Sequence, residues 1–211
     1  TLMDEVRRID LTGQRVECAG HAIEYDFLVI ALGAQTGYFG RNDWALHTVG
    51  LKSLEDAMEI RHRVLRAFEQ AEMSEDADEI DRLMTMVVVG GGPTGVEMAG
   101  SLAELARTVL KRDFRRIDPS KAHIHLIEAG PKLLPMMPGD LPEYTAAQLG
   151  RLGVSVHLNC PVREIAPNRV EAGTLTLTPS LVVWAAGVEA SGVTRTLGGA
   201  IPLDRAGRIE V

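Results

Sequence analysis

The sequence predicts an α/β protein built on a parallel sheet in the order β-α-β-α-β, followed by a small antiparallel meander. Three observations predict it. The first is Met86-Val87-Val88-Val89 running into Gly90-Gly91-Gly92-Pro93-Thr94-Gly95-Val96-Glu97: a buried strand, a glycine-rich turn and the start of an amphipathic helix. The second is His123-Ile124-His125-Leu126-Ile127-Glu128, an alternating strand that ends on an acid. The third is the likeness of Leu28-Val29-Ile30-Ala31-Leu32-Gly33 to Leu181-Val182-Val183-Trp184-Ala185-Ala186-Gly187. Both are apolar runs that end in small residues, and they bracket the glycine-rich unit.

The elements follow in order. Val6, Ile9, Val16, Ile23 and the run from Tyr25 to Ala31 read as short strands separated by polar turns. The last is nearly continuous in apolar residues, the pattern of a strand inside a larger sheet. Ser53-Leu54-Glu55-Asp56 reads as a helix N-cap with an acid at the third helical position. Leu54, Ala57, Met58, Val64, Leu65, Phe68 and Ala71 then fall on one helical face, and the helix should end near Met73. Ser74 to Glu79 reads as an acidic exposed connector. The helix after the glycine turn should run from Thr94 through Leu110, with Leu102, Leu105, Ala106 and Val109 as its apolar side. Leu141-Pro142-Glu143 starts another helix, with Pro in the first turn where its missing N–H costs little. Gly150 to Gly153 ends it, and Val154 to Leu158 is the third parallel strand. Val162 to Leu177 alternates over short runs with turns near Asn168 and Gly173, the pattern of the meander. Right-handed crossovers join the parallel strands.

The glycines Gly90, Gly92 and Gly95 fit G-x-G-x-x-G. The first permits the tight turn, the second lets a pyrophosphate approach the backbone, and the third lets helix and strand pack closely. Helix-start amides then face the phosphates. Glu128, at the end of the next strand, can accept hydrogen bonds from an adenosine ribose. Its distance from Gly95 exceeds the usual spacing of about 20 residues, so an insertion separates them. The fold is therefore Rossmann-like and the expected ligand is a dinucleotide.

Composition narrows the function. The chain has 211 residues, 45% hydrophobic, with a net charge of −7 and 4% aromatic residues. The acidic balance and scarce aromatics argue against nucleic acid as a partner. No apolar run approaches the roughly 18 residues of a membrane span, and no signal peptide is visible. Cys18 and Cys160 form neither a disulfide framework nor a Cys-x-x-Cys pair, which fits a cytoplasmic setting. His123 and His125 share one strand face without an acidic or cysteine cluster beside them, so no metal is expected.

Several stretches resemble the two-dinucleotide-fold flavoprotein reductases, the FAD-dependent pyridine nucleotide-disulfide oxidoreductase superfamily. Within it the sequence is most similar to the type II NADH:quinone oxidoreductases (NADH dehydrogenases). The stretches are Gly33 to Gly40, Gly90 to Glu97, Asp113-Phe114-Arg115-Arg116-Ile117-Asp118-Pro119, Leu126 to Pro135, and Val183 to Val188. The resemblance implies an NAD(H)-binding domain inserted into a split FAD domain. It places residues 1–46 in a partial FAD-domain segment, 47–190 in the NAD(H)-binding domain, and 191–211 in a partial return to the FAD domain. Gly90, Gly92, Pro93, Thr94 and Gly95 would surround the pyrophosphate, and Glu128 would hold the ribose. Glu97 would sit near the nicotinamide end. Ala186 and Gly187 would lie beside the nicotinamide and flavin, and Ala31 and Gly33 on the FAD side. No catalytic residue is expected beyond the candidate Glu97.

The implied function is hydride transfer from NADH to FAD, then two electrons to a quinone. The family's first FAD-binding glycine turn, its later Gly-Asp pair and its membrane-facing segment do not appear in this sequence. The expectation is therefore a fragment that does not turn over by itself. The full-length parent would carry the FAD, meet quinone and membrane surface through other segments, and lie peripherally on the cytoplasmic face of the inner membrane, with a homodimer as its expected assembly. Two alternatives remain open: a stand-alone dinucleotide-binding module, and the NADH domain of a reductase with a protein acceptor.

Overall fold

A computed structural model describes residues 1–197 and 199–210. Gly198 and Val211, both in the expected return segment 191–211, lie outside the described residues. The chain divides into two compact units, Tyr38–Gly187 and Thr1–Gly37 with Val188–Val211. The unit boundaries thus fall at 37/38 and 187/188. The segment from Tyr38 to Leu46 belongs with the larger unit because its rings pack there: Tyr38 and Trp44 lie 5.3 and 5.5 Å from the ring of Trp184.

The larger unit is built on four parallel strands: β5 (Thr85–Val89), β6 (His123–Ile127), β7 (Val154–His157) and β11 (Leu181–Trp184), in the spatial order β11-β5-β6-β7. Val87 lies opposite His125 and Val89 opposite Ile127. Every residue of β5 is buried, as expected for a central strand covered on both faces. Alternate side chains point to opposite layers. Met86, Val88, Ile124 and Leu126 join Val64, Phe68, Ala99 and Leu102 from the helices. Val87, Val89, Ile127, Val182 and Trp184 join Ile165, Val170 and Ala172 from the meander. Each such Val, Leu, Ile, Met or Phe side chain taken out of water contributes roughly 1.5–3 kcal/mol. The meander comprises β8 (Val162–Ala166), β9 (Arg169–Ala172) and β10 (Leu175–Leu177). Its turns contain Asn168 and Gly173, both with positive φ.

Helix α1 (Leu54–Met73) begins where the sequence predicts, and the capping box is present. The Asp56 amide donates to the Ser53 hydroxyl at 3.0 Å, and the Ser53 amide donates to the Asp56 carboxylate at 3.1 Å. Two helical elements differ from expectation. The acidic connector does not stay a loop through Glu79, because α2 (Ala77–Leu83) starts inside it. The Asp76 carboxylate accepts the amides of Asp78 and Glu79, and acids in a first turn suit the helix dipole. The glycine-turn helix α3 (Pro93–Glu104) does not run regularly to Leu110. It widens over Leu105–Val109 and tightens over Leu110–Arg112. Leu102, Ala106 and Leu110 are all buried at four-residue spacing, which drifts off a 3.6-residue helix by about 40° per step. A widened turn returns them to one face. Helix α4 (Leu141–Arg151) carries Pro142 in its first turn, as predicted.

On the meander face of β6 and β7, His125 Nδ1 and His157 Nε2 are 3.0 Å apart. The ring planes differ by 17° and the centroids lie 5.3 Å apart. That separation exceeds the N···N distance by about the width of one ring, so the imidazoles meet edge to edge and share one proton. His123 instead pairs with Asp81 at 3.1 Å.

The smaller unit holds β1 (Val6–Asp10), β2 (Arg15–Cys18) and β3 (Ala22–Glu24) as one antiparallel sheet. It also holds β4 (Ala34–Thr36), paired with β12 (Val188–Ala190). The apolar run from Tyr25 to Ala31 is not a strand, contrary to its sequence pattern. Among the described residues no strand pairs with it, and Phe27 and Val29 stand in solvent. An apolar run acquires strand geometry from neighbours that satisfy its amides and cover its faces.

Candidate functional site

The site forms at the C-terminal ends of the parallel strands, where β5 turns into α3. Gly90 donates its amide to the Ile127 carbonyl at 2.8 Å and adopts a φ of +112°. A Cβ there would also lie 2.7 Å from the Ala185–Ala186 backbone, so only glycine fits. Gly95, on the first turn of α3, is buried, and a Cβ on it would overlap the Gly90 carbonyl oxygen. Gly92 is the opposite case: a Cβ there would meet nothing within 4 Å. It is the N-cap of α3, its φ of −73° is ordinary, and no side chain caps the helix. The first-turn amides after Pro93 therefore keep their donors for an anion, at the positive end of the dipole.

Glu128 follows β6 and is fastened on all sides. Its amide donates to the His157 carbonyl at 2.8 Å, and its own carbonyl accepts the Cys160 amide at 2.9 Å. One carboxylate oxygen accepts the Gly91 amide and the other accepts the Gly130 amide, each at 2.6 Å. The side chain is thus held against the glycine turn in a fixed orientation. A carboxylate offers about four lone-pair sites, so two remain for hydroxyl donors. The 131–137 loop closes over the turn: Leu133 is buried, and the Leu134 amide donates to the Gly91 carbonyl at 2.8 Å.

A cavity of about 360 Å³ opens beside Glu128. Tyr38, Trp44, Trp184, Val89, Ile127 and Cys160 give it an apolar wall, and Gly90, Ala129 and Ala186 reach its rim. Arg41 closes one side. Its guanidinium lies 4.5 Å over the Trp44 ring and donates to Asp43 and to Glu164 on β8. Those carboxylates raise the Arg41 pKa further, and Arg41 holds Asp43 and Glu164 below the usual carboxylate range. Burial raises the Cys160 thiol pKa, against a smaller opposing effect of Arg163, which disfavours the reactive thiolate.

The structure brings Gly90, Gly92, Pro93, Thr94, Gly95, Glu128 and Ala186 to the C-terminal end of the parallel sheet, with Gly187 directly after Ala186. Glu97 is exposed on the first turns of α3, and no ion pair of it is found among the described residues. Ala31 and Gly33 belong to the smaller unit. Sequence reasoning missed the aromatic cavity and Arg41. The available signal was that a chain with few aromatics places Tyr38, Phe39 and Trp44 in one seven-residue stretch.

The whole sequence, residues 1–211, matches the family described as pyridine nucleotide-disulphide oxidoreductase. Curated relatives include type II NADH:quinone oxidoreductases. The Ndh protein of Mycobacterium tuberculosis is 45% identical over all of this chain and 48% of its own length. The Haemophilus influenzae protein is 32% identical over 84% of this chain and 43% of its own. The chain thus spans about half the length, or less, of these relatives. Among solved structures, NDH2 from Plasmodium falciparum in complex with NADH superposes with a TM-score of 0.89 at 25% identity, covering 95% of this chain and 43% of that one. A ferredoxin reductase from Rhodopseudomonas palustris, at 21% identity and a TM-score of 0.74, shares the fold. By its match over the full sequence, the chain belongs to the pyridine nucleotide-disulphide oxidoreductase family.

Proposed function

We propose that this chain is the NADH-binding portion of an FAD-dependent NADH:quinone oxidoreductase. The carboxylate of Glu128, clamped between the Gly91 and Gly130 amides at the edge of the glycine turn, carries the reading. The NADH pyrophosphate lies over Gly92 and the first turn of α3. The adenosine ribose hydroxyls donate to the free lone pairs of Glu128, and the adenine enters the aromatic cavity beside it. The nicotinamide extends toward Ala186 and Gly187, with Glu97 on its side. The names of the relatives support quinone as the final acceptor.

When bound, the flavin supplies the hydride-accepting chemistry; the residues of this chain bind and orient the nicotinamide nucleotide. Ala31 and Gly33 stand on the flavin side in this reading. In the whole enzyme, quinone and the membrane surface are met outside the NADH site, on the cytoplasmic side, and the enzyme assembles as a homodimer. No helix among the described residues is long and apolar enough to cross a membrane.

The test is cofactor preference. Glu128 accepts from a free 2′-hydroxyl and repels a 2′-phosphate. Two unit charges about 4 Å apart interact by roughly 4 kcal/mol at an effective dielectric of 20. Solvent screening at this half-exposed site reduces that to about 1–3 kcal/mol, on the order of ten- to a hundredfold in affinity. Calorimetric titration should show NADH bound more tightly than NADPH by that factor, and Glu128→Ala should narrow the gap. Equal affinities in the unmodified chain would overturn the role of Glu128.

A further inference from the structure

In the smaller unit, the Cys18-Ala19-Gly20-His21 turn folds back on Asp4. The Cys18 amide donates to the His21 carbonyl at 2.8 Å, which brings the two side chains to one side of the turn. His21 Nδ1 lies 2.9 Å from an Asp4 carboxylate oxygen, and the donor atoms of Asp4, Cys18 and His21 all lie within 4.8 Å of one another. It is the one such grouping of three metal-ligating side chains among the described residues.

We propose that Asp4, Cys18 and His21 form a zinc site, with a fourth coordination position open to the adjoining cavity. The donor set is the first reason. Thiolate, imidazole and carboxylate together suit a borderline-soft divalent ion, and three protein ligands with one open position is an established zinc arrangement.

Geometry is the second. Tetrahedral zinc holds such donors about 3.4–3.6 Å apart. The Asp4–His21 pair, 2.9 Å apart, needs to open by about half an ångström, and the sulfur, within 4.8 Å of both, needs to close by no more than about 1.2–1.4 Å.

Support from the backbone is the third. The Asp4 carboxylate accepts the Glu5 amide at 2.7 Å on one oxygen and the Gly20 amide at 3.0 Å on the other. Those bonds fix its direction, as outer-shell donors do around bound metals.

The surroundings are the fourth. A cavity of about 260 Å³ carries Asp4, Cys18 and His21 on its wall, with Leu2, Val6, Val16, Ile23, Tyr25 and Leu28 completing it. Apolar side chains thus flank the three donors on the cavity side. The His21 side chain is 40% exposed, which leaves the ion a path in. On binding, the Cys18 thiol proton, and that of His21 when protonated, leave to solvent, so charge balances without a redox partner.

Cobalt titration of the reduced, metal-stripped 211-residue chain tests this. Co²⁺ should bind at one equivalent with a thiolate-to-cobalt charge-transfer band, and Zn²⁺ should displace it. Cys18→Ser should abolish the band. His21→Gln and Asp4→Asn should each weaken Zn²⁺ binding at least tenfold. Cys160→Ser should change neither, because that thiol is buried in the other unit. NADH affinity should be unaltered in Cys18→Ser, which separates this site from the nucleotide site. Absence of the band at saturating Co²⁺, its survival in Cys18→Ser, or wild-type Zn²⁺ affinity in His21→Gln would each overturn the site.

Discussion

Gly92 and Gly95 sit three residues apart in one turn and answer to different demands. Nothing in the protein occupies the space above Gly92, whereas the Gly90 carbonyl fills the space above Gly95. In the proposed reading the space above the first is left for the nucleotide, while the second is required by the chain's own packing. Gly92→Ala should therefore leave stability within about 1 kcal/mol, the cost of an N-cap exchange. It should weaken NADH at least tenfold, about 1.4 kcal/mol. Gly95→Ala forces helix and strand apart and should cost about 2 kcal/mol or more of stability, as overpacking does. Melting curves and NADH titrations of the two variants check this. Equal loss of stability in both, with unchanged affinity in Gly92→Ala, would remove the pyrophosphate from this turn. The glycine spacing and the strand-end acid were readable as letters. The clamp on Glu128 was not, because the Gly130 amide reaches it through a local turn and the Gly91 amide through a register between strands.

At the scale of elements, the parallel strands and α1 were legible because each carries its own signal: a short apolar or alternating run, a capping box, a helical stripe. The Tyr25–Ala31 run misled because its signal is only half of a strand, the other half being a neighbour. The pairing of His125 with His157 was illegible for a related reason, since it depends on how β6 and β7 align. That pairing makes the sheet edge pH-sensitive. Burial above all, with the nearby His157 and His123, lowers the His125 pKa to about 4, while Asp81 on α2 opposes the shift. Burial lowers His157 as well. The native state thus keeps both rings neutral around one shared proton, while an unfolded His titrates near 6.5. Between about pH 6.5 and 4 the unfolded chain binds more protons, so stability is fully present above pH 6.5 and falls as pH drops through that window. Both rings are partly exposed, and screening reduces the loss to about 1–2 kcal/mol. Denaturant melts from pH 7 to 4.5 should show this loss, and His125→Phe should flatten it. An identical pH slope in the variant would assign the sensitivity to other groups.

For the whole molecule, the division into two units separates the two roles inferred for it. Each residue placed against NADH lies between Tyr38 and Gly187, and so do both packed layers of the parallel sheet. The proposed zinc ligands and the flavin-side residues Ala31 and Gly33 lie in the other unit. A chain of residues 38–187 keeps the sheet order β11-β5-β6-β7, the meander, the 38–46 segment that walls the cavity, and Glu128 with both of its amide donors. Its size is ordinary for an independently folding domain. It should therefore melt cooperatively and bind NADH within about threefold of the 211-residue chain, less than 1 kcal/mol in binding energy. Cutting at the 46/47 boundary instead removes Tyr38, Arg41 and Trp44 and exposes Trp184, so a chain of residues 47–187 should bind at least tenfold more weakly and melt lower. Calorimetry on the two truncations distinguishes the cuts. If residues 38–187 lose NADH affinity as severely as 47–187, the smaller unit contributes contacts to the nucleotide that the larger unit does not supply.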